Sequence, residues 1–184
     1  MKKTVLLMLL LLMVALPAAA MELAGVTLDK TVTVQNRTLT LNGAGIRKKF
    51  FVKVYVGALY AANRLSSADT ALKDSGDKLI RMRFLHSRVE KQKIVNAFAE
   101  GFRDNSPAVA GSPDAKRFLD LFRKDFIKGD TVDLFLGGDG TVSASHNGSL
   151  LGSLRSPALA KAVLAIYLGE HPADDDLKTG MLGH

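Results

Sequence analysis

A change of hydrophobic period midway along the chain limits what it can become. From Val26 to Asn63 the side chains alternate in twos. Thr31-Val32-Thr33-Val34 and Thr38-Leu39-Thr40-Leu41 are polar on one side and apolar on the other, with Gln35-Asn36-Arg37 between them as a turn. Phe50, Val52, Val54 and Val56 then mark one face of a further strand. Alternation of this kind predicts an antiparallel meander with one buried face. Ser66 to Lys73 has a serine cap and a short helical stretch, Asp74 to Asp77 a turn, and Lys78 to His86 a strand. Beyond Ser87 the period lengthens: Val95, Phe98, Ala99 and Phe102 recur at helical spacing, with Ser87 and Glu90 placed as a capping box. A chain that runs strands first and helices second predicts an α+β fold, a large antiparallel sheet with helices layered on one face.

The rest of the chain supports this. Asn105 to Asp114, with Pro107, Gly111 and Pro113, reads as a loop between helices. Phe118, Phe122 and Phe126 fall on one stripe of a second amphipathic helix whose Arg117, Arg123, Lys124 and Lys128 face water. Thr131 to Leu136 and Thr141 to His146 are strands joined across Gly137-Gly138-Asp139-Gly140, and Asn147-Gly148 turns again. Ser156-Pro157 opens a third helix that buries Leu159, Ala162, Val163 and Ile166 and stops at Gly169; Asp174-Asp175-Asp176 precedes a last short helix.

The first twenty residues read as a signal peptide. Lys2 and Lys3 precede an apolar run from Val5 to Leu16, Pro17 breaks it, and Ala18-Ala19-Ala20 offers a small-x-small cleavage site. The run falls short of the ~20 apolar residues that span a bilayer. Cleavage after Ala20 leaves residues 21–184 as one domain, exported and periplasmic where the cell has two membranes, with no transmembrane segment in the mature chain. No cysteine is present, which favours a soluble exported protein over a lipid-anchored one and leaves no disulfide possible, so the core holds by packing alone. The formal charge of +7 falls by two without Lys2 and Lys3. This modest excess suits an anionic ligand and, with no nucleic-acid-reading pattern beside it, does not point to nucleic acid.

Most motif-like fragments have structural readings. Gly43-Ala44-Gly45 precedes a strand rather than a helix, so it bends the backbone and does not cradle a nucleotide phosphate. His86, His146, His171 and His184 lack metal spacing and read as loop or surface residues; no metal or cofactor is expected. Arg47 and Tyr55 differ. Their even separation puts them on one side of a regular strand, where a guanidinium fork and a phenol can converge on one small anion while apolar neighbours form a tail pocket.

The stretch from Leu41 to Tyr60 carries Gly43-x-Gly45-x-Arg47, then Phe50-x-x-Lys53-Val54-Tyr55 and a closing Tyr60. Together with Ala162 to Leu164, Leu168 to His171 and Asp176 to Lys178, it resembles the chalcone isomerase family over nearly the whole mature chain. The resemblance implies a ligand cleft between sheet and helices. It also implies one of two roles, a plant-type enzyme that closes a flavanone ring or a fatty-acid binder that turns nothing over. In the enzymes the arginine matched by Arg47 steadies developing oxyanion charge, within a network of threonine, tyrosine, asparagine and a late threonine or serine. Here those positions become Tyr55, Glu90, Ala97 (Asn96 one place earlier) and Ile166. Alanine and isoleucine donate no hydrogen bond, and losing one such donor costs about a hundredfold in rate. Glu90 is either a base or an exposed carboxylate at a helix start. Three functions follow as expectations: a non-catalytic binder of a small amphipathic carboxylate such as a fatty acid, held by Arg47 and Tyr55; a chalcone isomerase-type intramolecular lyase acting on an enone, with Arg47 catalytic; or a structural or partner-binding protein whose cleft is filled. Oligomeric state is left open.

Overall fold

The alternating segments fold as successive hairpins. A computed structural model describes residues 19–184, with side chains from Met21 onward; the expected leader over residues 1–20 lies outside the described residues except for the backbone of Ala19 and Ala20. The elements are β1 (Ala19–Leu23), β2 (Val26–Asp29), β3 (Thr31–Val34), β4 (Arg37–Lys49), β5 (Val52–Ala61), α1 (Ala68–Lys73), β6 (Lys78–Phe84) and β7 (Arg88–Val89). They continue with α2 (Lys91–Asn105), α3 (Pro107–Ala110), α4 (Pro113–Leu119), β8 (Phe126–Ile127), β9 (Thr131–Leu136), β10 (Thr141–His146), β11 (Ser149–Arg155), α5 (Pro157–Leu168) and α6 (Asp175–Met181). Seven strands form one sheet in the order β11-β10-β9-β6-β5-β4-β3, and every neighbouring pair is antiparallel.

Strand alternation divides the apolar residues between two cores. On β5, Tyr55, Leu59 and Ala61 face the helices and pack with Phe98, Phe102, Val163, Ile166 and Leu177. Val56, Ala58 and Tyr60 face the other way, where Val26 and Leu28 of the β1–β2 ribbon cover them. The fold is therefore α+β with the helices on one face, and a two-stranded ribbon closes part of the other.

Four local expectations change. Helix α2 begins at Lys91, and Glu90 at its cap position makes no side-chain hydrogen bond. Ser87 is not the cap, because Arg88 and Val89 pair with Ile127 and Phe126. Instead Asp125 Oδ1 accepts the Lys91 N–H at 2.9 Å, satisfying a free helix donor from a distant loop. Pro107 to Ala110 form a short helix inside the expected loop. Helix α4 ends at Leu119, so Phe118, Phe122 and Phe126 sit on a helix, a turn and a strand in that order. They are nonetheless buried together, with ring centroids 5.3 Å and 6.4 Å apart along the series. Phe50 is not a strand residue but part of the β4–β5 turn, with φ 55°.

Candidate functional site

Arg47 and Tyr55 are neighbours on different strands. The chain reverses at Phe50 and Phe51, so Arg47 near the end of β4 stands directly opposite Tyr55 on β5. The two side chains do lie side by side, but as partners across a hairpin and not along one strand. One position further, Lys48 pairs with Lys53, which leaves Val54 as the extra residue of a β-bulge. A bulge re-aims side chains at a strand end, and it turns Val54 toward the helix-side core.

The glycines before Arg47 do more than bend the strand. A Cβ on Gly45 would lie 2.7 Å from Leu177 Cα and 2.9 Å from Leu177 O, and one on Gly43 would lie 2.9 Å from Met181 O. Both positions let α6 lie against the bare backbone of β4. A bulge at Asn42 separates Leu41 from Gly43 in the ladder, and its buried amide donates to Leu65 O and Met181 O at 2.8 Å each. At the other end of α6, Asp174 Oδ1 accepts the Leu177 N–H and Oδ2 accepts the Lys48 N–H, both at 2.9 Å. The strand end carrying Arg47 is thus clamped on both sides by one helix.

A third polar side chain joins the pair. Tyr167, fully buried on α5, donates its hydroxyl to Met82 Sδ at 3.4 Å. Burial raises its pKa well above the ordinary phenol value, and the neighbouring Tyr55 adds to the rise. Burial also raises the Tyr55 pKa, against the opposing pull of Arg47. The Tyr55 oxygen in turn raises Arg47, with burial acting the other way. The Arg47 Cζ lies 5.8 Å from the Tyr55 ring centroid. At neutral pH this is one fixed cation beside two neutral phenols. Arg47 Nε is buried and has no hydrogen-bond partner, an unmet donor that costs about 1–3 kcal/mol unless something accepts from it. Tyr167 was missed because its helix is apolar almost throughout; the signal was its place beside Ile166, the position matched to the family's late threonine.

Arg47 borders three spaces. The hollow between sheet and helices, lined by Arg47, Tyr55, Ala97, Phe98, Ile166 and Tyr167, has a volume of only about 10 Å³, room for a single water. The expected tail pocket is not there, because Tyr167, Ile166 and Phe98 fill it. A larger space of about 430 Å³ runs between the β4–β5 turn and α2, with Arg47, Val52, Val54, Val89, Ile94 and Ala97 in its wall. A third, of about 350 Å³, lies between α2 and the loop at His171 to Ala173. Tyr55 reaches only the small hollow, whereas Arg47 is common to all three. Ala97 and Ile166 do line the site, and Asn96 lines the large groove. Glu90 is exposed at the helix start, 3.7 Å from Lys93. His146, expected on the surface, lies half-buried in β10 with Nε2 2.9 Å from Asp130. Among the described residues no group of three His, Asp or Glu could hold a metal ion, and no helix is long and apolar enough to cross a membrane.

With this geometry in hand, comparison with known proteins gives a consistent result. A family model described as chalcone isomerase-like matches residues 20–183. The chain belongs to the chalcone isomerase-like family. One relative is fatty-acid-binding protein 1 of Arabidopsis thaliana, 23% identical over 173 residues, 77% of this chain and 62% of the relative. The chain thus spans less than two thirds of that relative's length. The crystal structure of an Arabidopsis thaliana fatty-acid-binding protein superposes with a TM-score of 0.67 at 21% identity, covering 86% of this chain and 92% of the other. At that identity the likeness establishes the fold.

Proposed function

We propose that this chalcone isomerase-like protein is an exported, non-catalytic binder of a small amphipathic carboxylate, a fatty acid being the leading candidate, with Arg47 as the carboxylate anchor. The observation that carries this reading is that Arg47, whose buried Nε has no hydrogen-bond partner, also lines a 430 Å³ groove whose wall includes Val52, Val54, Val89 and Ile94. A carboxylate there accepts from the guanidinium, a charge-assisted bond worth about 1.5–3 kcal/mol. The tail lies along Val52, Val54, Val89 and Ile94, and each methylene buried contributes about 0.8 kcal/mol. A twelve-carbon chain supplies roughly 9 kcal/mol gross, against several kcal/mol of association cost. Affinity comes from the tail and orientation from Arg47, with Tyr55 braced behind the guanidinium from the hollow.

The plant relative's name supports the ligand class. The residues around Arg47 argue against turnover: Ala97 and Ile166 occupy positions where the enzymes carry donors, so an enolate formed there would be stabilised by Arg47 with little help. An enone-cyclising lyase is the weaker alternative. The third reading, a structural or partner-binding domain, draws on one observation, the 10 Å³ hollow filled by the protein's own side chains.

Native mass spectrometry of the protein purified from its host, alongside Arg47→Ala, separates these readings. Lipid that co-purifies with the wild type and is lost in the variant supports the binder. No lipid in either moves the weight to the structural reading, and chalcone turnover well above background to the lyase. The mass of the same sample tests export, which requires cleavage after Ala20.

A further inference from the structure

The turn between β4 and β5 runs against the fold's own interest. Phe50 is 88% exposed, Phe51 102% and Val52 45%, so three apolar side chains in a row forgo the stabilisation that burial supplies. Phe50 also holds φ at 55°, a left-handed conformation in which its Cβ crowds the next carbonyl and which a turn normally gives to glycine or asparagine. An exposed and strained aromatic residue points to a role outside folding. Around the tip, Lys48, Lys49 and Lys53 are all exposed. Lys48 pairs with Asp176 at 3.0 Å; among the described residues Lys49 and Lys53 form no salt bridge. Arg47, Arg88 and Lys93 line the adjoining groove with Glu100. Arg88 is paired with Asp125 at 2.6 Å and Lys93 lies 3.7 Å from Glu90, so among the described residues the free positive charge at the tip is that of Lys49 and Lys53.

We propose that this tip docks on the surface of an anionic lipid bilayer, with Phe50 and Phe51 entering the apolar layer and Lys49 and Lys53 contacting headgroup phosphates. Aromatic residues beside unpaired lysines match both halves of such a surface, the hydrocarbon by burial and the anionic headgroups by charge. Phe50, Val52 and Lys49 also form part of the groove wall, so docking sets the mouth of the groove at the depth where acyl chains begin. The purpose of docking, delivery of an acyl chain toward Arg47, rests on the ligand proposed above; the docking itself does not.

The test is flotation of the protein, as purified from its host, with vesicles of phosphatidylcholine alone and of phosphatidylcholine mixed with phosphatidylglycerol. The wild type floats with the anionic vesicles and less with the neutral ones. Phe51→Ser weakens partitioning roughly tenfold or more, and Lys49→Gln with Lys53→Gln weakens it about fivefold per charge on anionic vesicles only. Phe50→Gly relieves the turn, so its melting temperature equals or exceeds that of the wild type while vesicle binding falls. The proposal is overturned if the wild type stays unbound, if Phe51→Ser floats like the wild type, or if the tip variants instead convert a dimer into a monomer in sedimentation. Dodecanoate titration of Phe51→Ser, whose side chain does not line the groove, keeps the two ideas apart. Phe51→Ser keeps dodecanoate binding and loses flotation; in the wild type, dodecanoate bound without vesicle association overturns docking alone, and vesicle association without dodecanoate binding overturns the ligand alone.

Discussion

Replacing Gly45 by alanine tests whether the glycines before Arg47 exist to admit α6. The added Cβ would meet Leu177 Cα at 2.7 Å and Leu177 O at 2.9 Å, whereas carbon atoms rest at about 3.5–4.0 Å. Both obstacles are backbone, so no side chain can swing aside and the helix must shift by close to an ångström. Leu177 and Met181 are fully buried under that helix, and overpacking such a contact costs about 1–3 kcal/mol. For a domain of this size, that lowers the melting temperature by roughly 2–12 °C. The shift also moves Asp174, whose carboxylate holds the Lys48 N–H at 2.9 Å, so the strand end carrying Arg47 moves with it. Urea denaturation and thermal melting of Gly45→Ala, with Gly111→Ala as control, measure the first effect, and dodecanoate titration the second. A Cβ on Gly111 meets nothing within 4 Å, and its φ of −95° suits alanine, so the control keeps wild-type stability. A Gly45→Ala protein as stable as Gly111→Ala would refute the close-approach reading.

Two further predictions concern polar groups elsewhere in the sheet. The Tyr60 hydroxyl is buried with no partner, and burial pushes its pKa up to about 12. Stability from keeping that phenol neutral is complete below pH 10 and is lost as pH rises through 12. Tyr60→Phe is therefore as stable as the wild type at pH 7, or more stable by about 1 kcal/mol, and its alkaline melting curve is flatter over that window. Lys78, 4% exposed, donates to Asp74 Oδ2 at 2.7 Å and holds that carboxyl below its ordinary value of 3.8. The pair contributes stability above that value and loses it as pH falls through the depressed one. Asp74→Asn is thus less stable by about 1.5–3 kcal/mol at neutral pH, with a shallower acid limb in pH-dependent denaturation; an unchanged acid limb would count against it.

Local chemistry explains which parts of this fold were legible. Strands β9 and β10 match their alternation to the residue across the Gly137 to Gly140 turn, and Asn147 and Gly148 adopt the left-handed pair (φ 49° and 78°) of the tight hairpin turn that leads β10 into β11. The β4–β5 turn is invisible in the sequence because Phe50 and Phe51 are not turn residues, and without it Arg47 and Tyr55 read as residues of one strand. The Phe118, Phe122 and Phe126 stripe kept its burial and lost its helix, since spacing by four also fits a helix end, a turn and a strand around one aromatic cluster. Ser87 and Glu90 satisfied a capping pattern that tertiary pairing of β7 with β8 overrode. The work of Gly43 and Gly45 could not be read locally, because the helix that needs them lies more than a hundred residues away. Around Arg47, the replacements at Ala97 and Ile166 were legible as missing donors. Tyr167 and the closure of the hollow were not, since both depend on how α5 settles on the sheet.

Calorimetric titration of dodecanoate into the wild type and Arg47→Met tests the central claim most directly, because methionine keeps an apolar stem in the groove and removes only the fork. The account predicts saturable binding to the wild type and a loss of about tenfold to a hundredfold in the variant, the equivalent of one charge-assisted bond. Equal affinity in the two proteins, or no heat of binding in either, would contradict it.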